Sequence, residues 1–352
     1  MSASSGVGRA APVSSRVRNS AAALRRRFQA ARPFPHLILD GFLEREFALS
    51  LAGEFPAYDA ERFVNELGQA GKAIYADCGN FGRSFRRFER LVRGRPFVKL
   101  LESLTGIAGL RADPGLVGAG AQENLKGMSL PAHVDFSIHP ETGWHRRVNF
   151  LLYLTPGWRP GWGGELELRA SGRGRPRVRA APLFNRCVIF ATSDRSWHSV
   201  RRVAAPASAP GGSRKSVSLY FYTRERPSAW TPRRGTVWIY PSLPRRLKAG
   251  AVLDEGLWNR IDKALVLREL ALAQVLRRRL IGRVSPLAGR LKPKAVLTRE
   301  DVDWIKGLLE ERKRALDIEA RRDIGRILDV AAERVRARGR RSRPARAPRR
   351  AA

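Results

Sequence analysis

The stretch Pro131-Ala132-His133-Val134-Asp135-Phe136, read with Ser196-Trp197-His198-Ser199-Val200, decides how this chain folds. Side chains alternate across a strand, so a His and an Asp two apart point to one face. A second imidazole, returned by a later strand, completes a set of three ligands on one side of a metal. Two neutral imidazoles and one carboxylate with open positions beside them suit non-haem Fe(II). All three must be deprotonated to bind, so affinity is expected to fall at acid pH. Removing the carboxylate (Asp135→Ala) should therefore end metal binding and leave the fold intact.

A His-x-Asp pair alone is commonly structural, so its surroundings must support it. Val148–Leu154 is apolar and ends in the turn signal Thr155-Pro156-Gly157. Gly163–Leu168 alternates polar and apolar, Phe184–Thr192 reads as a buried strand, and Ser216–Thr223 alternates again. Gly/Pro/Arg loops lie between them, over Ser171–Arg177 and Pro206–Gly212. Strands with no helices between them predict an antiparallel sandwich or barrel, and a jelly roll fits best. Upstream, Pro33–Phe42 reads as a short strand turning at Asp40-Gly41. A helix is expected over Leu43–Phe55, stopped by Pro56, and another over Ser84–Leu104; Tyr58–Asn80 reads as loop. His36 reads as structural, and His139 and His145 fall in the loop around Pro140 and Gly143.

Downstream of His198, Arg214 and Ser216 share a strand face, with Lys215 on the other. A guanidinium pairs bidentately with a carboxylate and the hydroxyl adds a donor, which is what the distal carboxylate of 2-oxoglutarate needs. The order of Pro33–Leu43, His133-Val134-Asp135, Gly163–Leu168, Phe184–Phe190, Trp197–Val200 and Arg214–Thr223 resembles the prolyl 4-hydroxylase-like Fe(II)/2-oxoglutarate-dependent dioxygenases. The resemblance covers Pro33 to Thr223. It implies a mainly β core, a double-stranded β-helix or jelly roll, with flanking helices. It also implies that His133, Asp135 and His198 bind Fe(II), and that Arg214 and Ser216 bind the co-substrate 2-oxoglutarate. The implied reaction hydroxylates a C–H bond with O2, giving succinate and CO2; the substrate would be a prolyl or other protein residue, a glycan or a small metabolite. Ascorbate carries over from the family as a reductant of the iron. Many members place a tyrosine on the strand leading into His-x-Asp, but Gln122–Leu130 contains none. Trp144, Arg146, Trp158, Arg159 and Trp162, in loops around the expected barrel mouth, are candidate substrate contacts.

The 352 residues carry a formal net charge of +35, concentrated partly in arginine-rich ends with no acidic residue. Such a charge favours polyanions such as nucleic acid, ribosome or anionic glycan. A general arginine habit explains it equally well, because no aromatic-interleaved nucleic-acid motif accompanies it. Two other readings follow: an oxidative demethylase of nucleic acid on the same core, and a non-catalytic adaptor for polyanions, which the intact ligand set disfavours. Two cysteines, Cys78 and Cys187, make neither a disulfide framework nor a zinc site, in keeping with a cytoplasmic location. No apolar run is long enough for a membrane span. The first residues lack the apolar core of a secretory signal.

The expected organisation is a basic disordered tail over 1–31, the dioxygenase domain over 32–228, a helical extension over 236–335 and a basic tail over 336–352. The extension repeats itself: Arg246-Leu247-Lys248 recurs as Arg290-Leu291-Lys292, and Ala251-Val252-Leu253 as Ala295-Val296-Leu297. Each unit reads as a basic extended lead-in followed by an amphipathic helix. The last helix, Leu308–Val335, reads as a surface or homodimer-forming element.

Overall fold

The computed structural model describes residues 12–59, 62–64, 72–206, 212–227, 236–239, 247–252, 257, 296–297, 299–300, 302–303 and 305–307. Among them, 12–64 and 72–238 fall in one unit and 239–307 in a second.

The first unit begins with helices α1 (Ser15–Asn19) and α2 (Ala21–Ala30), where a disordered tail was expected. Leu24 and Phe28 lie four apart and are buried with Val17, so the helices present an apolar stripe to the core. The arginines that made this stretch look like a tail occupy the opposite, exposed face. After β1 (His36–Leu39) comes α3 (Arg45–Gly53), within the span expected for it. The supposed loop holds β2 (Phe63–Val64) and β3 (Lys72–Tyr75). β3 is buried through Ala73, Ile74 and Tyr75, so it shows no alternation from which a strand could be read. The single helix expected over Ser84–Leu104 is two, α4 (Arg83–Arg93) and α5 (Arg95–Thr105). Gly94 between them is extended, and Pro96 suits only a first turn.

The strands that follow are β4 (Arg111–Ala112), β5 (Gly120–Asn124), β6 (Leu130–Val134), β7 (His145–Tyr153), β8 (Leu166–Arg169), β9 (Pro176–Ala180), β10 (Cys187–Ala191), β11 (Trp197–Val200), β12 (Arg214–Thr223) and β13 (Val237–Trp238). They form two antiparallel sheets. One runs β1-β10-β7-β12-β5-β3-β2, with β4 also on β12; the other runs β13-β6-β11-β8-β9. This is the jelly-roll architecture expected of the β core.

The large sheet is covered on both faces, which is why β7 reads as an unbroken apolar run. Val148, Phe150 and Leu152 join the helix-side core, where Phe150 stacks edge-on against Phe42 at 5.2 Å and Phe97 at 5.6 Å. Leu151 and Tyr153 point the other way, packing with Leu166, Leu168, Val188 and Phe190. Asn185, in a left-handed conformation (φ 58°), closes the turn before β10 and ties it to the N-terminal segment. Its amide accepts from Leu43 N at 2.9 Å and donates to Leu43 O at 2.8 Å.

Glu123 of β5 is buried on the helix-side face and accepts a short hydrogen bond from Ser213. Burial raises its pKa, against the opposing effects of Ser213, Lys215 and Tyr75. A carboxyl whose folded pKa is raised keeps its proton while the unfolded chain releases one, so its effect on stability worsens as pH rises. Glu123→Gln should therefore stabilise the fold more at about pH 8 than at about pH 5. Urea midpoints at the two pH values check this, and an equal shift at both would contradict it.

In the second unit, Leu247, Leu257, Leu297, Val302 and Ile305 are buried. Val252 and Val296 form an antiparallel bridge, with Gly250 N donating to Leu297 O and Leu297 N to Ala251 O. The two valines occupy matching positions of the sequence repeat, so the described lead-ins pair with each other. The helix expected over Leu308–Val335 and the tail over 336–352 lie outside the described residues. No helix of the described residues is long and apolar enough to cross a membrane.

Candidate active site

β6 and β11 are hydrogen-bonded neighbours in a register that sets His198 directly opposite His133. Their rings lie 4.1 Å apart between centroids. Asp135 follows at the end of β6, with Oδ1 3.6 Å from His133 Nε2 and Oδ2 3.5 Å from His198 Nε2. The ligand atoms of the three residues all lie within 4.8 Å of one another, a grouping able to hold a metal ion.

The hydrogen bonds of the two imidazoles settle what they offer. His133 Nδ1 lies 2.8 Å from Pro131 O, and His198 Nδ1 lies 2.9 Å from Ser196 O. A carbonyl only accepts, so each Nδ1 carries the proton and each Nε2 presents a lone pair. Burial and the neighbouring His133 push the His198 pKa down to about 3, so the ring is a neutral acceptor near neutral pH. Burial works to raise the Asp135 pKa, but the Arg146 guanidinium, with His198 and His133, holds it well below the ordinary value. Two imidazole Nε2 atoms and a carboxylate converging on one point suit a cation, and the nitrogen–oxygen donor set fits Fe(II).

Arg214 is the second centre. It is 3% exposed, and Ser216 beside it is fully buried. Arg214 Nε donates to Gly164 O at 2.8 Å and Nη1 to Asn124 Oδ1 at 2.8 Å. Nη1 also reaches Ser216 Oγ at 3.5 Å, and Nη2 reaches the Tyr153 hydroxyl at 3.4 Å. All four partners are neutral. Tyr153 belongs to the same buried cluster as Phe190, whose ring lies 5.0 Å from that of His198, so one apolar cluster borders both Arg214 and the His-Asp-His group.

The Gly163-Gly164 pair has a steric reason. Both residues have positive φ (73° and 71°); a Cβ on Gly163 would come within 2.0 Å of Arg202 O, and one on Gly164 within 2.9 Å of Arg214 Cδ.

Residues 120–222 match the family described as the 2OG-Fe(II) oxygenase superfamily. That match, together with the His-Asp-His grouping, supports a 2-oxoglutarate-dependent dioxygenase using Fe(II). No curated protein matches the chain. Among solved structures, it is similar to a prolyl-4-hydroxylase from Pseudomonas putida, with 17% identity over 58% of this chain and 100% of that one, at a TM-score of 0.40. It is also similar to a prolyl 4-hydroxylase from Phytophthora capsici (16%, 90% and 95%, TM-score 0.41). HygX from Streptomyces hygroscopicus, solved with nickel and 2-oxoglutarate, is a third (13%, 57% and 89%, TM-score 0.36). Likenesses this weak carry no argument.

Against the sequence-based expectations, the fold brings His133, Asp135 and His198 together and sets Arg214 beside Ser216. Tyr153 was missed. No tyrosine precedes His133 on the approach strand, but β7 supplies this one from across the sheet, where only the pairing of Ser216 with Tyr153 could reveal it. Two of the proposed mouth residues are misplaced. Trp158 is buried among Val203, Ala205 and Trp162 rather than lining an opening. Arg146 is 1% exposed and turned onto Asp135. His139 is fully buried, its Nε2 3.2 Å from Asp113 Oδ1, and its Nδ1 accepts from Glu141 N and Thr142 N, so it braces the β6–β7 loop.

Proposed function

We propose that this oxygenase hydroxylates a C–H bond, with His133, Asp135 and His198 holding Fe(II) and Arg214 and Ser216 receiving the distal carboxylate of 2-oxoglutarate. The observation that carries the reading is Arg214 itself. A guanidinium so deeply buried is costly unless an anion meets it, and its partners among the described residues are all neutral. A carboxylate arriving from solution supplies the missing charge through charge-assisted bonds, and the hydroxyls of Ser216 and Tyr153 add donors.

Fe(II) held by His133, Asp135 and His198 would supply, with 2-oxoglutarate and O2, the oxidising power of a reaction that gives succinate and CO2. The chain's own residues do the rest. The Pro131 and Ser196 carbonyls hold the imidazole tautomers, and Gly164 leaves room for the Arg214 stem. Tyr153, Phe190 and Leu168 pack together in one buried apolar cluster. The substrates this reading covers are a prolyl or other residue of a protein, a glycan, or a small metabolite.

The test is succinate release with Fe(II), 2-oxoglutarate and ascorbate over panels of peptides, anionic glycans and oligonucleotides. The polyanions are included because a net charge of +35 concentrates them near the protein. Substrate-dependent succinate matched by a product heavier by one oxygen atom is expected. Succinate release that no member of the panels increases would overturn the reading; release of formaldehyde would place the hydroxylated C–H bond on a methyl group of the substrate.

A further inference from the structure

Strand alternation misplaces one arginine of β7. Asn149 faces the site, so a regular strand would turn Arg147 inward with it and Arg146 outward. The pairing with β12 is not regular: Tyr220 lies opposite Asn149, Phe221 opposite Val148, and Tyr222 opposite Arg146. Arg147 is the extra residue of a β-bulge, and a bulge re-aims the side chains beyond it. Thr192 secures the bulge, with its N–H donating to Arg147 O at 3.0 Å and its hydroxyl to Arg146 O at 2.8 Å. Arg147 turns aside to donate to the Thr223 hydroxyl at 3.3 Å. Arg146 swings into the site.

What Arg146 meets there is a closed triangle. Its Nη2 makes an ion-pair contact with Asp135 Oδ2 at 3.0 Å. Asn149 Nδ2 donates to the same Oδ2 at 2.7 Å, and Arg146 Nε donates to Asn149 Oδ1 at 2.8 Å. The guanidinium is clamped flat, 3.4 Å over the Tyr220 ring with Phe136 at 4.8 Å, so it has no freedom to leave. Oδ2 thus carries both the Asn149 hydrogen bond and the charge of the Arg146 guanidinium beside it.

We propose that Arg146 and Asn149 are the positioning residues of the metal carboxylate: they claim Asp135 Oδ2 and leave Oδ1 as the only oxygen offered to the metal. This rests on the reading of His133, Asp135 and His198 as the metal ligands. A carboxylate free to grip with both oxygens would take up a position that the co-substrate and O2 require. The bulge at Arg147 is the backbone device that makes the arrangement possible.

The test uses Co(II), which needs no protection from air and reports its coordination number through its visible d–d bands. Affinity is measured by calorimetry and the bands are recorded on the same full-length samples. Asn149→Ala should weaken Co(II) binding about 10–100-fold, the range for loss of an outer partner, and alter the bands. Arg146→Lys, which keeps the charge but loses the planar fork, should fall between wild type and Asn149→Ala. Arg147→Ala should match wild type in both readouts. Wild-type affinity and bands in both Asn149→Ala and Arg146→Lys would overturn the proposal, as would an Arg147→Ala variant that behaves like Asn149→Ala. His133→Ala separates the two levels of the argument: it should abolish binding, and undiminished binding would overturn the ligand assignment itself and this proposal with it.

Discussion

Replacing Asp135 with alanine is expected to remove metal binding and 2-oxoglutarate turnover and, in addition, to destabilise the fold by about 3–5 kcal/mol. The second effect departs from what the sequence suggests, because a metal ligand at a strand end looks dispensable to folding. The structure pairs its carboxylate with Arg146, which is 1% exposed, so the alanine variant leaves a buried cation without its counter-charge. His133→Ala removes a ligand and strands no charge. It should therefore lose Fe(II) or Co(II) binding by more than about 100-fold, beyond the range of an outer-partner loss, with a much smaller change in stability. Calorimetric titration and urea denaturation of metal-free samples check the pair. Equal stability losses in both variants would refute the coupling between Asp135 and Arg146, and retained metal binding in both would refute the ligand set.

Arg214→Met is expected to raise the 2-oxoglutarate requirement about ten- to hundred-fold, the equivalent of losing a charge-assisted contact of about 1.5–3 kcal/mol. The effect should appear in KM for 2-oxoglutarate and leave Co(II) affinity alone, since Arg214 touches none of the three metal-binding side chains. Lys215→Ala is the control for register. Lys215 stands on the opposite face, its Nζ 5.1 Å from the Phe55 ring centre, so its removal should leave that KM unchanged. Gly164→Ala should mimic Arg214→Met, because its new methyl would press on Arg214 Cδ and strain a backbone at φ 71°. An unchanged KM in Arg214→Met would remove the co-substrate assignment, whatever happened at the metal site.

The readable parts of this protein share a physical origin. His133 and Asp135 two apart, and Arg214 and Ser216 two apart, are intra-strand relations, and the period of a strand carries them directly from sequence to geometry. The apolar runs of β7 and β10 likewise announce strands buried on both faces. The parts that were not readable depend on what lies across from a residue. The N-terminal arginines hide a helix pair because their apolar stripe is short, and only the core it covers shows that Val17, Leu24 and Phe28 are inside. β3 has no period because both its faces are covered. Tyr153 has no sequence link to Arg214, since they meet only through the pairing of β7 with β12.

By itself, then, the sequence determined the β core, the grouping of His133, Asp135 and His198, and the shared face of Arg214 and Ser216, since each is written in residue type and strand period. Tertiary structure decided which arginine serves the metal carboxylate. One extra residue at Arg147 shifts the phase of β7, and a phase shift is a property of two paired strands that neither strand's sequence expresses alone.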